Sequence, residues 1–409
     1  MLRAIAVDHR LRLMVFNQAA DTIGARTFDT ALVWMALQAG ETYGSAALLV
    51  FLRFSPYLVL GLVGGWVSDQ VDRRWVIILA DGLRAATLAG AALLLLTDVP
   101  SSVSLGTAAF VLTSVRTVYQ PAFQGLLPQV APAGMIGAAN SAVHATNEFC
   151  GMLAPLLAGS LLAFASPLVV VLFAAAMFLL GTLSLAALDA AQPTGTRHCV
   201  RWTSLWSDYR ATLISLTRRH PSTGRAIVIN VIAILGVGGL LNLAIPARME
   251  SDVQLGASSF GMFMAIMASG TIPGALAAAL VARKSQHLAM GASWLAYGAL
   301  LVLFPLSSNI MVLMALGLAL GFFGAVADVL FATIVQETIE PRDISKTFAI
   351  FSTLANTSEA ISGPMAAGFI VLGSFGLAFT AGGGLVIVTC VGYIALRIIA
   401  QTRSPVQEE

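Results

Sequence analysis

The sequence predicts an all-α integral membrane protein with twelve transmembrane helices, arranged as two pseudo-symmetric halves of six helices. Three observations lead to this prediction. Hydrophobic residues make up 58% of the 409 residues and charged residues only 10%, whereas a soluble domain carries about 25% charged residues. Apolar segments of about 20 residues, the length that crosses a bilayer, recur along the chain. Several glycine and proline residues also recur at one fixed spacing.

Twelve apolar segments are predicted to span the membrane, and the polar stretch between the sixth and seventh divides the chain. The spans of the first half are 13–37, 46–67, 76–97, 104–126, 136–162 and 167–188, and those of the second half are 225–247, 257–281, 288–306, 310–335, 346–371 and 376–400. We therefore predict an N-terminal six-helix half at 1–188, a cytoplasmic central linker at 189–224 and a C-terminal six-helix half at 225–409.

The distribution of lysine and arginine predicts the orientation. With the N-terminus in the cytoplasm, Arg248 is the one basic residue on the opposite side, and Arg26, Arg53, Arg84 and Arg116 lie within spans. All other basic residues fall on the cytoplasmic side, where membrane proteins carry an excess of positive charge. We predict a multi-pass membrane protein with both termini in the cytoplasm.

Special residues recur 209 positions apart, which predicts an internal duplication. Repeats of this kind are typical of transporters built from two related halves. We call a residue's equivalent 209 positions away its repeat counterpart. The counterparts are Gly61 and Gly270, Gly65 and Gly274, Gly82 and Gly291, Pro132 and Pro341, Pro155 and Pro364, Gly159 and Gly368, Asn147 and Asn356, and Asp21 and Asn230.

The composition also excludes several classes of function. The net charge of +2 and the scattered basic residues argue against nucleic-acid binding. The three cysteines show no spacing typical of a metal site or a disulfide framework. Because no hydrolase, metalloprotease or nucleotide-binding motif is present, we predict that the protein is not an enzyme and uses no cofactor or metal.

One loop between the second and third spans carries a recognisable pattern. It reads Gly65-Trp-Val-Ser-Asp69-Gln-Val-Asp72-Arg73-Arg74 and resembles the signature loop of the major facilitator superfamily. Glycine permits close helix approach, and the basic pair anchors the loop in the cytoplasm. The match departs from the family at Gln70, where arginine is usual, and at Asp72, where glycine is usual.

Further stretches resemble the branch of bacterial exporters that includes the enterobactin exporter and macrolide efflux pumps. They are Asp81 and Arg84, Arg116 and Gln120, and the segment from Pro128 to Ser141. The run from Gly151 to Gly159 is similar to an antiporter motif, with Ala154 in place of the usual glycine.

This resemblance implies the major facilitator fold and a secondary active transporter that works as a monomer. It would export small amphipathic, drug-like molecules across the bacterial inner (cytoplasmic) membrane by proton antiport with alternating access, as multidrug efflux proteins do. Its partners would be the small-molecule substrate, protons and membrane lipid. A dedicated exporter of a siderophore or another secreted metabolite, or a lysophospholipid flippase, is an alternative.

Charged residues within spans are candidates for proton coupling, because each costs about 2.5–3.5 kcal/mol at mid-helix unless it is paired or hydrated. Our candidates are Asp21, Asp29, Arg116 and Glu148. The resemblance implies that Arg116 faces the acids of the first span across the substrate path. In the alternative, Asp29 is neutralised by Arg26, three residues away, and Asp21 is permanently paired with an arginine such as Arg53 or Arg84.

Other polar residues within spans are candidates for lining a substrate cavity. The fifth span places Asn140, His144, Asn147 and Glu148 on one helix face. Helix packing through interhelical hydrogen bonds is an alternative role for such residues. The predicted cavity residues are Asn17, Arg26, Arg53, Tyr119, His144, Asn147, Asn230, Asp328, Asn356 and Glu359.

Overall fold

The computed structural model of the chain describes residues 8–40, 42–60, 71–97, 99–131, 135–188, 202–281 and 285–402. Each of the twelve predicted spans coincides with a long helix, and a further helix lies in the predicted linker. The helices are α1 (His9–Gln38), α2 (Tyr43–Leu60), α3 (Arg73–Leu94), α4 (Ser101–Val130), α5 (Ile136–Phe164), α6 (Pro167–Ala186), α7 (Trp202–Arg218), α8 (Pro221–Ser251), α9 (Ala257–Ala279), α10 (Gln286–Leu303), α11 (Ile310–Thr338), α12 (Pro341–Leu372) and α13 (Phe375–Thr402).

Nine of these helices, within the described parts of the chain, are long and apolar enough to cross a membrane. The helices α1, α4 and α12 are equally long but more polar. Their polarity comes from residues within the predicted spans, such as Asp21 and Asp29 in α1, Arg116 in α4 and Glu359 in α12. Polar groups inside a span are retained only where they pair with one another or face water. The polar residues of these three helices are therefore candidates for contacts with one another or with water.

Short polar side chains determine where several helices begin. The Asp8 carboxylate accepts a hydrogen bond from the Arg10 amide at 2.7 Å, and Thr42 accepts one from the Ser45 amide at 3.2 Å. Asn309 caps α11 in the same way, at 2.9 Å from the Met311 amide. Such caps satisfy backbone donors that have no partner within the helix.

The chain forms two compact units. Unit 1 contains Met1–Leu205 together with Met249–Ala265, and unit 2 contains Trp206–Arg248 and Ile266–Glu409. In unit 1, α1 packs on α5 and α6, and α3 packs on α4 and α6. In unit 2, α8 packs on α12 and α13, and α10 packs on α11 and α13. The same helix pairings thus occur in both halves of the sequence, as expected for an internal duplication.

Glycines allow a close contact between α5 and α9 within unit 1. A Cβ placed on Gly159 in α5 would lie 2.7 Å from the Gly261 Cα and 2.8 Å from the Ala257 carbonyl oxygen in α9. Beside this contact, the Trp34 ring of α1 stacks on Phe260, with ring centroids 5.1 Å apart. Small residues let helix backbones approach within a membrane, where no hydrophobic effect drives helices together. These contacts hold the segment Met249–Ala265 in unit 1.

Arg248, the basic residue predicted on the extracytoplasmic side, is only 3% exposed. Its guanidinium donates hydrogen bonds to the carbonyl oxygens of Phe304 and Pro305 at 2.8 Å and of Ser307 at 3.1 Å. These carbonyls belong to the end of α10, where backbone acceptors lack helical partners. Arg248, the one exception to the charge asymmetry, is therefore buried and caps the end of α10.

Candidate functional site

A buried ionic cluster joins α1 and α3 in unit 1. The Arg84 guanidinium lies 2.6 Å from the Asp21 carboxylate and forms a second ion pair with Asp81, three residues earlier in α3. Asn17 donates a hydrogen bond to the other Asp81 oxygen at 2.7 Å and accepts one from the Tyr119 hydroxyl of α4 at 2.8 Å. Five side chains from three helices therefore form one connected network.

The network is excluded from solvent and enclosed by aromatic rings. Asn17, Asp21, Asp81, Arg84 and Tyr119 are each at most 3% exposed. The Arg84 guanidinium lies 4.3 Å from the ring centroid of Tyr119 and 4.4 Å from that of Phe178 in α6. A cation between two aromatic faces is stabilised by both ring quadrupoles. Asp21, predicted as a proton-coupling residue, and Asn17 and Tyr119, predicted as cavity residues, are thus internal members of this network.

The second half contains an uncharged version of the same helix pairing. Asn230, the counterpart of Asp21, accepts a hydrogen bond from the Trp294 indole at 2.9 Å. Its amide nitrogen lies 3.5 Å from the sulfur of Met290, the counterpart of Asp81. Because α8 and α10 meet here without ionic groups, this packing geometry does not itself require charge.

A third ion pair lies farther along α1. Arg53 of α2 contacts Asp29 at 2.8 Å, and the two side chains are 18% and 19% exposed. The structure thus pairs Asp29 with a neighbouring helix and not with Arg26, three residues earlier in α1. Arg53 was predicted to line a cavity, and it here neutralises an acid of α1.

Two arginines in the spans of unit 1 have no such contact. The Arg26 side chain in α1 is exposed and that of Arg116 in α4 is partly exposed. Neither forms a hydrogen bond or an ion pair with the residues that the structure describes. Asp21 and Asp29 lie within electrostatic range of Arg116, but both are already bound by other arginines. Arg116 is therefore not the contact partner of either acid.

The polar face of α5 meets α1 through one amide. The Asn147 side-chain oxygen accepts hydrogen bonds from Thr22 at 3.1 Å and from Gln18 at 3.4 Å, and its nitrogen lies 3.3 Å from a Glu148 carboxylate oxygen. His144 and Glu148 are exposed. Gln18 and Thr22 were not predicted as site residues, although their spacing of four places them on one face of α1.

The candidates of unit 2 make fewer polar contacts. Asp328 in α11 is exposed and has no hydrogen-bond or ion-pair partner within the described residues. Asn356 in α12 donates to the Ser352 carbonyl of its own helix at 2.7 Å. Glu359 is partly exposed, and the Tyr297 hydroxyl of α10 lies within electrostatic range of both Asp328 and Glu359. No group of three potential metal ligands occurs among the described residues.

The basic pair of the signature loop contacts carbonyl oxygens of neighbouring helices, in one case at a helix end. Arg74 donates hydrogen bonds to the carbonyl oxygens of Leu185 at 3.1 Å and Ala186 at 3.0 Å, at the end of α6. Arg73 donates to the Gly125 carbonyl of α4 at 3.0 Å. Cations are favourable at helix C-termini, where the backbone presents unpaired carbonyls. The other two predicted loop residues, Gly65 and Asp69, lie outside the described residues.

Structures of known transporters resemble the chain along its whole length. The nucleoside transporter NupG, in a single-residue mutant, has a TM-score of 0.78 at 15% identity and covers 95% of this chain and 100% of its own. A POT family transporter in complex with a thioalcohol-conjugated peptide has a TM-score of 0.74 at 10% identity, covering 97% and 96%. The human organic anion transporter MFSD10 has a TM-score of 0.63 at 14% identity, covering 94% and 99%. At these identities the likeness establishes the fold.

The family itself follows from the sequence. No curated protein matches the chain significantly. The family model of the Major Facilitator Superfamily matches twice, over residues 14–234 and 226–409, in agreement with the duplication. The chain is therefore a membrane transporter of the major facilitator superfamily.

Proposed function

We propose that this transporter exports small amphipathic, drug-like molecules across the bacterial inner membrane in exchange for protons, by alternating access. In this proposal the transporting unit is a single chain with both termini in the cytoplasm. The proposal rests mainly on Asp328. Its side chain is exposed and has no hydrogen-bond or ion-pair partner in the described part of the chain.

An ionised carboxylate within a spanning helix costs about 2.5–3.5 kcal/mol unless water, a cation or a proton compensates it. Arginines compensate Asp21 and Asp29 by direct contact. Asp328 depends on water or a proton instead. Such an acid takes up a proton when water reaches it from the side of higher proton concentration and releases it when water reaches it from the other side. Glu148, which is exposed and contacts the amide of Asn147, is the second candidate for proton exchange.

The direction of transport is inferred from sequence. The segment from Pro128 to Ser141 and the run from Gly151 to Gly159 resemble bacterial exporters and antiporters. The structural neighbours transport different classes of molecule, among them nucleosides and organic anions. They therefore do not favour one substrate.

A dedicated exporter of a siderophore or another secreted metabolite is a second candidate function. Two arginines favour it, Arg26 and Arg116, because neither has an acidic contact partner within the described residues. Both suit a metabolite that carries negative charge.

Proton movement in inside-out vesicles tests the proposal. A pH-sensitive dye inside the vesicles reports proton release when ethidium, a macrolide or an iron chelator is added in turn. We expect at least one compound to release protons with the wild-type protein and none to do so with Asp328→Asn. Asp8→Asn is the matched control, because asparagine also caps a helix start.

Other outcomes contradict parts of the proposal. If a correctly inserted wild-type protein releases no protons with any compound, a proton-coupled drug exporter is excluded. If Asp328→Asn releases protons like wild type while Asp29→Asn or Glu148→Gln does not, the coupling acid lies in unit 1.

A further inference from the structure

The spans of unit 1 contain four arginines, and direct ion pairs use only two of them. Arg84 contacts Asp21 and Asp81, and Arg53 contacts Asp29. The two that remain are Arg26 and Arg116. Their guanidinium groups have no hydrogen-bond or ion-pair partner within the ranges that the structure describes.

Both remaining arginines lie near the midpoints of predicted membrane spans. Arg26 is one residue from the midpoint of the predicted span 13–37, and Arg116 is one residue from the midpoint of 104–126. Their side chains are exposed and partly exposed, respectively. A guanidinium at this depth is costly unless it faces water or an anion. At this position each of these two side chains therefore requires water or an anion beside it.

The two guanidinium groups lie within electrostatic range of each other and repel. The acids in range are Asp29 and Glu148 for Arg26, and Asp21 and Asp29 for Arg116. Asp21 and Asp29 contact other arginines and Glu148 contacts Asn147, so none of these acids contacts either guanidinium directly. A bound anion that contacts both guanidinium groups would offset their repulsion.

The internal duplication shows that the fold does not need these charges. The counterpart of Arg26 is Leu235 and that of Arg116 is Ala325, both uncharged. The corresponding helices α8 and α11 form without an arginine at either position. The two arginines therefore serve something other than helix formation.

We infer that Arg26 and Arg116 together bind an anionic group, a carboxylate or a phosphate, on the transported molecule. This inference rests on the proposed transport function and specifies its substrate class. A planar guanidinium makes paired hydrogen bonds to carboxylate and phosphate oxygens, and such charge-assisted bonds are stronger than neutral ones. The substrate is then an amphipathic anion whose charged group is held at mid-membrane depth.

Ligand binding to the purified protein tests this inference without requiring transport. Four probes with one ring system are compared: 1-naphthoate, 1-naphthyl phosphate, 1-naphthylmethylammonium and 1-naphthalenemethanol. A ligand that binds the native state raises the unfolding temperature. Thermal unfolding in detergent therefore ranks the four probes by how strongly they bind. We expect one or both anions to raise it and the cation and the alcohol to leave it unchanged.

Variants assign the binding to the two arginines. Arg26→Gln and Arg116→Gln should each weaken anion binding about tenfold or more, the effect of losing one charge-assisted interaction. Lysine at either position should restore part of the affinity. Arg219→Gln should leave the affinity for the anion unchanged. It removes an exposed arginine from the predicted cytoplasmic linker. Unfolding without ligand checks that each variant is folded.

Each outcome bears on the inference. Stabilisation by naphthoate alone identifies a carboxylate, by naphthyl phosphate alone a phosphate, and by both a general anion site. The inference is wrong if neither anion stabilises the protein, or if anion binding survives both glutamine variants. A failed vesicle assay alongside anion binding removes proton coupling but keeps the anionic substrate. Proton release in the vesicle assay without anion binding supports proton coupling and excludes the anionic substrate.

Discussion

The Asp21 carboxylate and the Arg84 guanidinium lie 2.6 Å apart, with side-chain exposures of 3% and 1%. They are separated by 63 residues in sequence and belong to α1 and α3. Because Arg84 also contacts Asp81, one cation serves two buried carboxylates. Both carboxylates therefore depend on Arg84 for compensation of their charge.

Replacing Arg84 alone should severely destabilise the protein. Arg84→Met leaves Asp21 and Asp81 buried without their cation, and removing one partner of a buried ion pair costs about 3–5 kcal/mol. We expect a large fall in the unfolding temperature of the protein in detergent. The triple variant Asp21→Asn, Asp81→Asn and Arg84→Met carries no uncompensated charge and should unfold at a higher temperature than Arg84→Met. Equal losses in both variants would show that the packing of Arg84 matters and not its charge.

Two counterpart glycines should respond differently to alanine. A Cβ on Gly159 would lie 2.7 Å from the Gly261 Cα, whereas one on Gly368 meets nothing within 4 Å. We expect Gly159→Ala to destabilise the protein by about 1–3 kcal/mol through overpacking. Gly368→Ala should be neutral or slightly stabilising, because alanine favours helix. Denaturant titration followed by tryptophan fluorescence measures both, and a neutral Gly159→Ala would contradict the close contact.

Arg248 should act as a structural cap. Its substitution by alanine leaves the carbonyls of Phe304, Pro305 and Ser307 without this donor, and each buried unsatisfied group costs about 1–3 kcal/mol. We expect Arg248→Ala to lower the unfolding temperature, and Arg248→Lys to recover only part of it, because one ammonium does not reproduce the fork of a guanidinium. Unchanged thermal stability of Arg248→Ala would show that water replaces the lost donors.

The Asp29–Arg53 pair should be energetically coupled. In a double-mutant cycle with Asp29→Asn and Arg53→Gln, we expect a coupling energy of about 1 kcal/mol or more, because the pair is mostly shielded from water. The matched control is Asp343 with Lys346, which are 3.7 Å apart and 30% and 38% exposed. Exposed pairs contribute roughly 0–1 kcal/mol. The prediction is wrong if the two cycles give the same coupling.

The sequence predicted the helices and the duplication because both depend on local or periodic properties. A spanning helix satisfies its own backbone hydrogen bonds, so an apolar run of sufficient length determines its position without knowledge of its neighbours. The spans drawn around Arg26 and Arg116 accordingly coincide with α1 and α4. The resemblance in the loop from Gly65 to Arg74 identified the family before any tertiary contact was known.

The sequence offered Arg84 as one possible partner of Asp21 on another helix, and the structure forms this pair, but it also forms a pair within one helix that was not predicted. Asp81 and Arg84, three residues apart, lie on one face of α3 and form an ion pair. Asp29 and Arg26 have the same spacing, yet Asp29 pairs with Arg53 of another helix. Spacing restricts which residues share a face, but it does not choose between a partner on the same helix and one on a neighbour.

The sequence by itself determined the family, the positions of the helices and the acids and arginines that lie within the membrane. The tertiary structure decided which of those charges are already neutralised. In the tertiary structure Asp21 pairs with Arg84 and Asp29 pairs with Arg53. Arg26, Arg116 and Asp328 have no hydrogen-bond or ion-pair partner among the described residues. The physical reason is that an ion pair depends on how neighbouring helices are rotated and shifted against one another. Interhelical packing sets that rotation and shift, which hydrophobic length and periodicity do not encode.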